Sequence, residues 1–594
     1  MYIVKKNIAG HDYYYLNKSV RKGDKVISKN ISYLGKDKKE AEEKAKEIIE
    51  KMEKGISNIN KGKIEQKDMD KKNITNKTEA KKNLGSLGID DKTSSILTIE
   101  ELANFCKKKG FVYSSGEIYG GLGGFWDFGH LGVELKNNIK KEWWKFHIQQ
   151  REDMAGIDGS IITNPKVWEA SGHVKSFVDV AVVCKKCGNK TKIDKHEVGN
   201  KKCEKCNGEF ISKGEFNPMF TTQVGPIKED SVQVYLRPET AQLIFADFKL
   251  VQENARLQLP FGIAQVGKSF RNELSPREFL FRCREFEQME IEYFIEEGMK
   301  CPYIEEIKGV NILVYDEKMQ KSAKEKEGSE QSSESAAELM DLYDAWKKGV
   351  IKTDWHAYWI AKEYEWFLSL GANPNNFRIR QHCSDEKSHY AVDTWDLEYK
   401  FPMGWRELQG FANRSNYDLS QHQKYSKQNM EILNKEGKKV LPNVVCEPSL
   451  GVERAFLVFM FDSYFYDEKR GNVVLKLNPK LAPVKAAVFP IVKQPEYIQM
   501  SEEILKDLRK EFNVVYDKGG SVGRRYARAD ESGTPMCITV DEQSLKDDTI
   551  TIRNRDTTKQ IRVKISDLRE ILRKLINQEI EFEKAGKLVE TRVK

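Results

Sequence analysis

The chain has no run of about 18 apolar residues, the length a helix needs to cross a bilayer. Its first residues, MYIVKKNIAGHD, lack the apolar centre of a secretion signal. Both absences argue against a helical membrane class and favour the cytoplasm. A disulfide framework is missing as well: of ten cysteines, four form two close pairs and the rest are scattered singly, so no structural disulfides are expected. Beyond residue 92 the chain also lacks net charge. Residues 93–594 hold 76 Lys plus Arg against 76 Asp plus Glu, whereas residues 1–92 hold 23 against 15. The whole excess of +8 lies in that first segment, which suits either a sequence-independent contact with nucleic acid or a solubilising tail. The glycine-rich run Gly120–Gly124 has no strand-then-helix unit with GxGxxG spacing around it, which excludes a dinucleotide fingerprint.

At 594 residues the chain is too long for one core and predicts three or four units. Residues 1–36 alternate as short strands broken at Gly10, Lys22-Gly23-Asp24 and Gly35, a small basic β-unit carrying Tyr13, Tyr14 and Tyr15. Residues 38–54 read as a charged helix, completing an N-terminal segment over 1–54. Residues 55–92, rich in Lys, Asn, Ser and Gly, read as a flexible linker. A helix is expected in ELANFCKKKG and a long one over 130–148. Residues 316–338, dense in Lys, Glu and Ser, read as a solvated insertion.

The last 111 residues, 484–594, alternate strand and helix. Strands are expected over Val484–Val492, Asn513–Tyr516 and Met536–Val540, helices over Ser501–Glu511 and around Arg524–Asp530, then a hairpin from Thr549–Asn554 and Gln560–Ile565. That alternation predicts an α/β layer fold. Arg524, Arg525 and Arg528 lie with Tyr526 on the second helix, a surface suited to nucleic-acid bases by charge and stacking, or to solvation alone.

Cys184-Lys185-Lys186-Cys187 and Cys203-Glu204-Lys205-Cys206 are separated by 15 residues. Two CxxC knuckles at this spacing suit tetrahedral zinc, whose four positions four thiolates fill without leaving one for water. Such a closed site is structural, a ribbon over residues 180–212; a ribbon that no longer loads metal has the same pattern. His196, between the pairs, reads as a surface residue.

The segment FRNELSPREFLFRCREFEQMEIEYF, Phe270–Phe294, is answered about 160 residues later by EPSLGVER, Glu447–Arg454. Residues 281–292 read as a strand whose period of two puts Arg282, Arg284, Phe286, Gln288 and Glu290 on one face. Cations, then a ring, then carboxylates suit phosphates, a purine and an ammonium laid end to end. A salt-bridged outer strand has the same residue types.

These motifs resemble motifs 2 and 3 of class II aminoacyl-tRNA synthetases, specifically the homodimeric glycyl-tRNA synthetases, with a motif 2 loop closer to the bacterial type. Arg237-Pro238-Glu239-Thr240-Ala241-Gln242 resembles that family's amino-acid loop, and Glu407–Arg414 the segment between motifs 2 and 3. Ile161–His173 stands as motif 1, and the resemblance covers roughly residues 95–594. It implies an α/β (α+β) architecture: a class II catalytic domain over 93–483, built on an antiparallel sheet of six to eight strands, and a C-terminal α/β anticodon-binding domain over 484–594. It implies ATP-dependent joining of glycine to tRNA(Gly) by a homodimer. The N-terminal segment departs from the family and is similar to a piece of some transposase-type proteins, which implies DNA or RNA contact at most.

By this resemblance Arg271, Glu273 and Arg454 are catalytic. Arg271 serves the α-phosphate and the attacking carboxylate, Glu273 the adenine amino group, and Phe286 and Arg454 the two adenine faces. Asn272, Phe281, Arg282, Arg284, Leu408 and Gly451 complete the ATP set, with Glu407 the magnesium carboxylate. Glycine falls to Glu169, Glu239, Glu290, Glu447 and Ser449, structural zinc to the four paired cysteines, and the anticodon to Arg524, Arg525, Tyr526 and Arg528. A synthetase for another small amino acid, or a silent synthetase-like protein that binds nucleic acid, are the other readings; the presence of Arg271, Glu273 and Arg454 disfavours the silent one.

Overall fold

The structure, a computed structural model, describes residues 2–8, 11–22, 25–35, 46 and 97–589, except 194–198, 200, 204, 228–229, 277, 327–335 and 384–392. The expected helix over 38–54, apart from Lys46, and the linker over 55–92 lie outside these residues, as do His196 and much of the insertion over 316–338. Two compact units are present, Met1–Ser95 and Ile96–Lys594. The first contains an antiparallel meander of β1 (Tyr2–Ile8), β2 (His11–Lys22) and β3 (Lys25–Gly35).

The second unit opens with α1 (Ile99–Lys109), bounded by local chemistry at both ends. Thr98 and Glu101 form a reciprocal capping box, and Gly110 closes the helix at φ +82°. Helix α2 (His130–Trp144) runs into a π-helical turn over Lys145–Gln149, so the expected helix over 130–148 ends in wider winding.

Among the described residues the central sheet has nine strands. They are β4 (Met154–Ile157), β5 (Phe261–Phe270), β6 (Glu285–Ile295), β7 (Asn311–Tyr315), β8 (Glu338–Asp341), β9 (Phe377–Gln381), β10 (Thr394–Phe401), β11 (Gly404–Ala412) and β12 (Asn443–Gly451), in spatial order β8-β7-β9-β10-β11-β12-β6-β5-β4. Pairing is antiparallel except for β4 with β5 and β7 with β9. The sheet is thus wider than the expected six to eight strands, because it gains parallel pairs near its edges.

Strand β6 begins at Glu285 rather than at residue 281. Glu278 and Phe279 take φ of +62° and +55°, and residues 279–281 curl into a 3-10 turn, so Arg282 and Arg284 precede the strand. Phe286, Gln288, Glu290 and Glu292 share one of its faces. The other face presents Met289, Ile291 and Tyr293 to a core that includes Trp355 and Trp359 of α4 (Asp354–Ser369) and Phe456 and Phe459 of α6 (Val452–Ser463). Between these helices in sequence lies α5 (Tyr417–Ser426), which packs with α3 (Ala241–Ala255) on the carboxylate side.

The C-terminal part has its own sheet: β13 (Ala486–Pro490), β14 (Val514–Tyr516), β15 (Met536–Val540), β16 (Thr549–Asn554), β17 (Gln560–Lys564) and β18 (Lys587–Val589), in order β14-β13-β15-β16-β17-β18. Helices α7 (Pro495–Leu508), α8 (Val522–Glu531) and α9 (Leu568–Ile576) accompany it. Its elements fall on the expected alternation, with α9 and β18 in addition. Buried Arg555 fastens it to the preceding chain, donating to the Leu477 and Gly533 carbonyls at 2.8 Å each.

Under the sheet, His147 Nε2 and Glu363 Oε1 lie 3.2 Å apart with both side chains buried. Burial pushes the Glu363 carboxyl from 4.5 up to about 8 and the His147 imidazole from 6.5 down to about 3. The Glu363 contribution is therefore complete below pH 4.5 and is lost as pH rises through 8; the His147 contribution is complete above pH 6.5 and is lost as pH falls toward 3. Glu363→Gln, neutral at every pH, is expected to reduce the fall in melting temperature between pH 6 and 8, as scanning calorimetry of both proteins would measure.

Candidate active site

A cavity of about 300 Å³ opens on the sheet where β6, β11 and the start of α6 meet. Arg271, Glu273, Phe281, Arg282, Phe286, Glu407, Leu408, Gly451 and Arg454 line it together with Gln288 and Ser449. Residues far apart in sequence are thus neighbours, because β6 lies beside β12 and β12 beside β11. Arg271 stands over the Phe286 ring at 5.5 Å and the Phe177 ring at 5.7 Å, its Nε donating to the Pro238 carbonyl at 2.9 Å. Arg454 lies over Phe281 at 4.6 Å, donates to the Glu407 carbonyl at 2.8 Å and pairs with its carboxylate at 3.2 Å. Arg454 holds the exposed Glu407 carboxyl below the ordinary carboxylate range. An ionised oxygen donor at the cationic end of the cavity fits a hard divalent ion.

Gln288 and Ser449 connect this cavity to a buried acidic cluster. Gln288 Nε2 donates to Ser449 Oγ at 3.2 Å, and Ser449 Oγ donates to Glu290 Oε1 at 2.7 Å. Thr240 donates to the other Glu290 oxygen. Carboxylate oxygens of Glu290, Glu292 and Glu447 lie within 4.8 Å of one another. Arg414 binds both oxygens of Glu447 at 3.0 and 3.1 Å, and both oxygens of Asp418 at 2.8 and 2.9 Å. Gln242 extends the network by donating to Asp418 at 3.0 Å and Glu239 at 3.1 Å, and His173 lies 3.3 Å from Glu239.

Burial raises the carboxyls of Glu290 and Glu447, and Arg414 opposes that rise at Glu447. Burial also acts against Glu239, but His173, Arg414 and Arg271 outweigh it and hold that carboxyl well below its usual range. The pocket thus combines one firmly ionised carboxylate with two that gain most from an arriving cation. Arg237, from the same loop, is structural: buried, it donates to the Lys268 and Gly159 carbonyls at 2.6 Å each.

Residues 485–575 match the family model described as "Anticodon binding domain". The glycine–tRNA ligase of Borrelia hermsii is 40% identical over 484 residues, 80% of this chain and 96% of that one. Those of Geobacillus thermodenitrificans (40% over 510 residues, 81% and 98%) and Thermobifida fusca (38% over 500 residues, 80% and 97%) are similar throughout. The chain belongs to the glycine–tRNA ligase family. Its activity is the ligation of glycine to tRNA, and its fold is that of a class II synthetase with an anticodon-binding domain.

Some expected residues of this ligase stand apart from the cavity. Asn272 meets the Pro218 carbonyl through its backbone N–H at 2.7 Å. Arg284 donates to the Glu273 carbonyl at 2.9 Å and the Gly123 carbonyl at 2.8 Å, bracing the motif 2 loop. Glu169 is exposed on the short helix Pro165–Ala170, and no hydrogen bond or ion pair among the described residues joins it to the acidic cluster. On α8, Arg525 turns inward to the Pro490 carbonyl at 2.5 Å and the Gly520 carbonyl at 2.9 Å. Tyr526 is half-buried beneath Arg553 at 4.7 Å, Arg528 is exposed but paired with Asp517, and Arg524 is exposed.

Sequence reasoning missed Lys192, Arg414 and Asp418. Lys192 lines the cavity, with Nζ 3.4 Å from Glu273 and 2.8 Å from Asp179. It comes from the strand Lys190–Ile193 beside the paired cysteines, and the Lys190 carbonyl accepts from Ser275 of the motif 2 loop at 2.8 Å. Arg414 closes the segment that resembles the family's inter-motif stretch, so its position was legible while its role was not.

The four cysteine sulfurs also converge. A tetrahedral zinc site of four thiolates, with bonds of about 2.3 Å, spaces its sulfurs about 3.8 Å apart. Cys184 and Cys206 Sγ are 3.4 Å apart, Cys187 and Cys203 Sγ 3.6 Å, and all four fall within 4.8 Å. A Cβ on Gly208 would stand 2.9 Å from Cys184 Sγ and 3.3 Å from Cys206 Sγ, so only glycine admits this approach.

Removing the Arg414 guanidinium leaves buried Glu447 and Asp418 without their cation. Arg414→Met is therefore expected to cost about 3–5 kcal/mol in stability, measured as a lowered urea midpoint with loss of glycine activation.

Proposed function

We propose that the acidic cluster holds the glycine ammonium and that the adjoining cavity holds ATP, so that the two reactants meet at Arg271. The observation that carries this reading is the bond from Ser449 to Glu290, which joins cavity and cluster. Glu239, Glu290 and Glu447 take the ammonium with Ser449 alongside, and larger amino acids are rejected by steric exclusion at the α-carbon. Arg271 neutralises the α-phosphate as the glycine carboxylate attacks it, forming glycyl-adenylate and releasing pyrophosphate. Glu273 reads the adenine amino group, Phe286 and Arg454 cover the ring, and Phe281, Arg282, Leu408 and Gly451 shape the site. Arg282, exposed on the cavity wall, reaches the phosphates. The adenylate then passes glycine to the 3′ end of tRNA(Gly). Magnesium, held by Glu407 when bound, neutralises phosphate charge.

Zinc belongs to Cys184, Cys187, Cys203 and Cys206, where it stiffens the ribbon that carries Lys192. The anticodon reading keeps Arg524, Arg528 and the edge of Tyr526, without the buried Arg525. A homodimer is supported by the resemblance of motif 1 and by exposed Ile118, Tyr119, Leu122, Ile162, Val224 and Val232, a set that a second copy would cover. The basic segment 1–54 contacts nucleic acid through charge. No helix among the described residues is long and apolar enough to cross a membrane. Six cysteines outside the zinc ribbon, each a free thiol, suit work in a reducing cytoplasm.

Amino-acid-dependent ATP–pyrophosphate exchange tests the pocket across glycine, alanine, serine, proline and threonine. Exchange is expected with glycine alone and is expected to fall at least about a hundredfold in Arg271→Ala; exchange with another amino acid would overturn the glycine assignment. For the metal, mass spectrometry under native conditions is expected to find about one zinc per chain. Cys187→Ser is expected to lose it and to become open to proteolysis between residues 184 and 206.

A further inference from the structure

Glu292 follows Glu290 by two residues on the same face of β6 and is fully buried, yet among the described residues neither of its carboxyl oxygens meets a hydrogen-bond donor. Its neighbours are acidic. Glu290 lies on its own strand, Glu447 and the Cys446 thiol come from β12, and Asp418 from α5. Arg414 is the cation of this group, and its guanidinium is committed to Glu447 and Asp418.

An ionised Glu292 would combine a full desolvation cost with repulsion from two carboxylates and no compensating donor. The neutral acid suits the site instead. Its O–H is a donor, and carboxylate acceptors of Glu290 and Glu447 lie within 4.8 Å. Glu447 is the better acceptor, because its oxygens are met by the Arg414 guanidinium alone, whereas Glu290 already receives Thr240, Ser449 and Gln288. Burial and the Glu447 charge both hold the Glu292 carboxyl well above its ordinary range.

We propose that Glu292 is a protonated carboxylic acid that donates its hydrogen to Glu447, and that it thereby sets both the orientation and the net charge of the ammonium pocket. This rests on the reading of that pocket given above. Glu447 then stands between the Arg414 guanidinium and the Glu292 hydroxyl, each fixing its plane. Glu292 adds no negative charge of its own, so the pocket avoids an additional like charge until the glycine ammonium arrives. Glu292 is a positioning residue: it acts on the ammonium through Glu447.

The test combines kinetics with infrared spectroscopy of the full-length enzyme. Glu292→Gln retains an uncharged donor of the same shape and is expected to keep the KM for glycine within about twofold. Glu292→Ala removes the donor and is expected to raise that KM about tenfold, with a much smaller change in kcat. At neutral pH the wild-type spectrum is expected to contain a buried, protonated carboxyl C=O band that Glu292→Gln lacks. Absence of that band, or a glycine KM penalty in Glu292→Gln as large as that of Glu447→Gln, would overturn the proposal by making Glu292 an ionised ligand. If Glu292→Ala fails to fold, the band and the Gln variant still decide. A Glu447→Gln enzyme with unchanged glycine KM would overturn the pocket reading instead, leaving the protonation of Glu292 to the spectrum.

Discussion

Everything at the reactive end of this fold depends on how four carboxyl groups are kept inside it with one guanidinium among them. Glu290, Glu292, Glu447 and Asp418 are all buried, and Arg414 binds two of them through both of their oxygens. Desolvating this much potential charge is costly, and a single cation cannot offset it for four anions. The remainder is met by hydroxyl donors on Glu290 and by the neutral state argued for Glu292. The proposed occupant fits that arrangement, since glycine, with no side chain, offers its ammonium as the main handle.

The sheet supplies what the cluster needs to stay in register. Glu290 and Ser449 are direct partners across β6 and β12, and Gly410 of β11 is the partner of Ser449 on the far side. Three adjacent strands therefore set the distance between cavity and cluster, while the opposite face of β6 is locked by tryptophans and phenylalanines of α4 and α6. A side chain can be placed this closely only on elements that cannot slip, since a shift of one residue would turn every carboxylate into the aromatic core. The motif 2 loop is held differently, by Arg284, Ser275 and residues in left-handed conformation. Its arginines are carried on a turn rather than on the rigid strand.

The polar contacts at the two ends of the second unit show the same separation of tasks. Arg555 and the group formed by Arg470, Arg553 and Asp530 fasten the C-terminal sheet to the chain before it, so arginines there serve as internal ties. Arg525 belongs to this internal class, although its sequence neighbours Arg524 and Arg528 are exposed. The cysteine ribbon reaches the cavity through one strand only, bringing Lys192 beside Glu273. A metal bound there would act on the cavity by stiffness alone.

Much of this was legible in the residues. Strand and helix alternation located the C-terminal elements because hydrophobic periodicity is a local property, and the two CxxC pairs announced a convergent sulfur site because ligand spacing is local too. Motif order brought Arg271, Glu273, Phe286, Glu407 and Arg454 to one cavity. What local pattern did not contain was direction and partnership. Period two placed Arg282 and Arg284 on a strand that the left-handed pair Glu278 and Phe279 delays to Glu285, and it could not tell outward Arg524 from inward Arg525 on one helix. Glu169 looked equivalent to Glu239, yet only Glu239 has His173 and Gln242 against it. By itself the sequence determined the elements, their order and the chemical types at the site. Tertiary structure alone decided which charges are buried together, because the cost of a buried charge depends on the partners that distant strands bring within hydrogen-bonding distance.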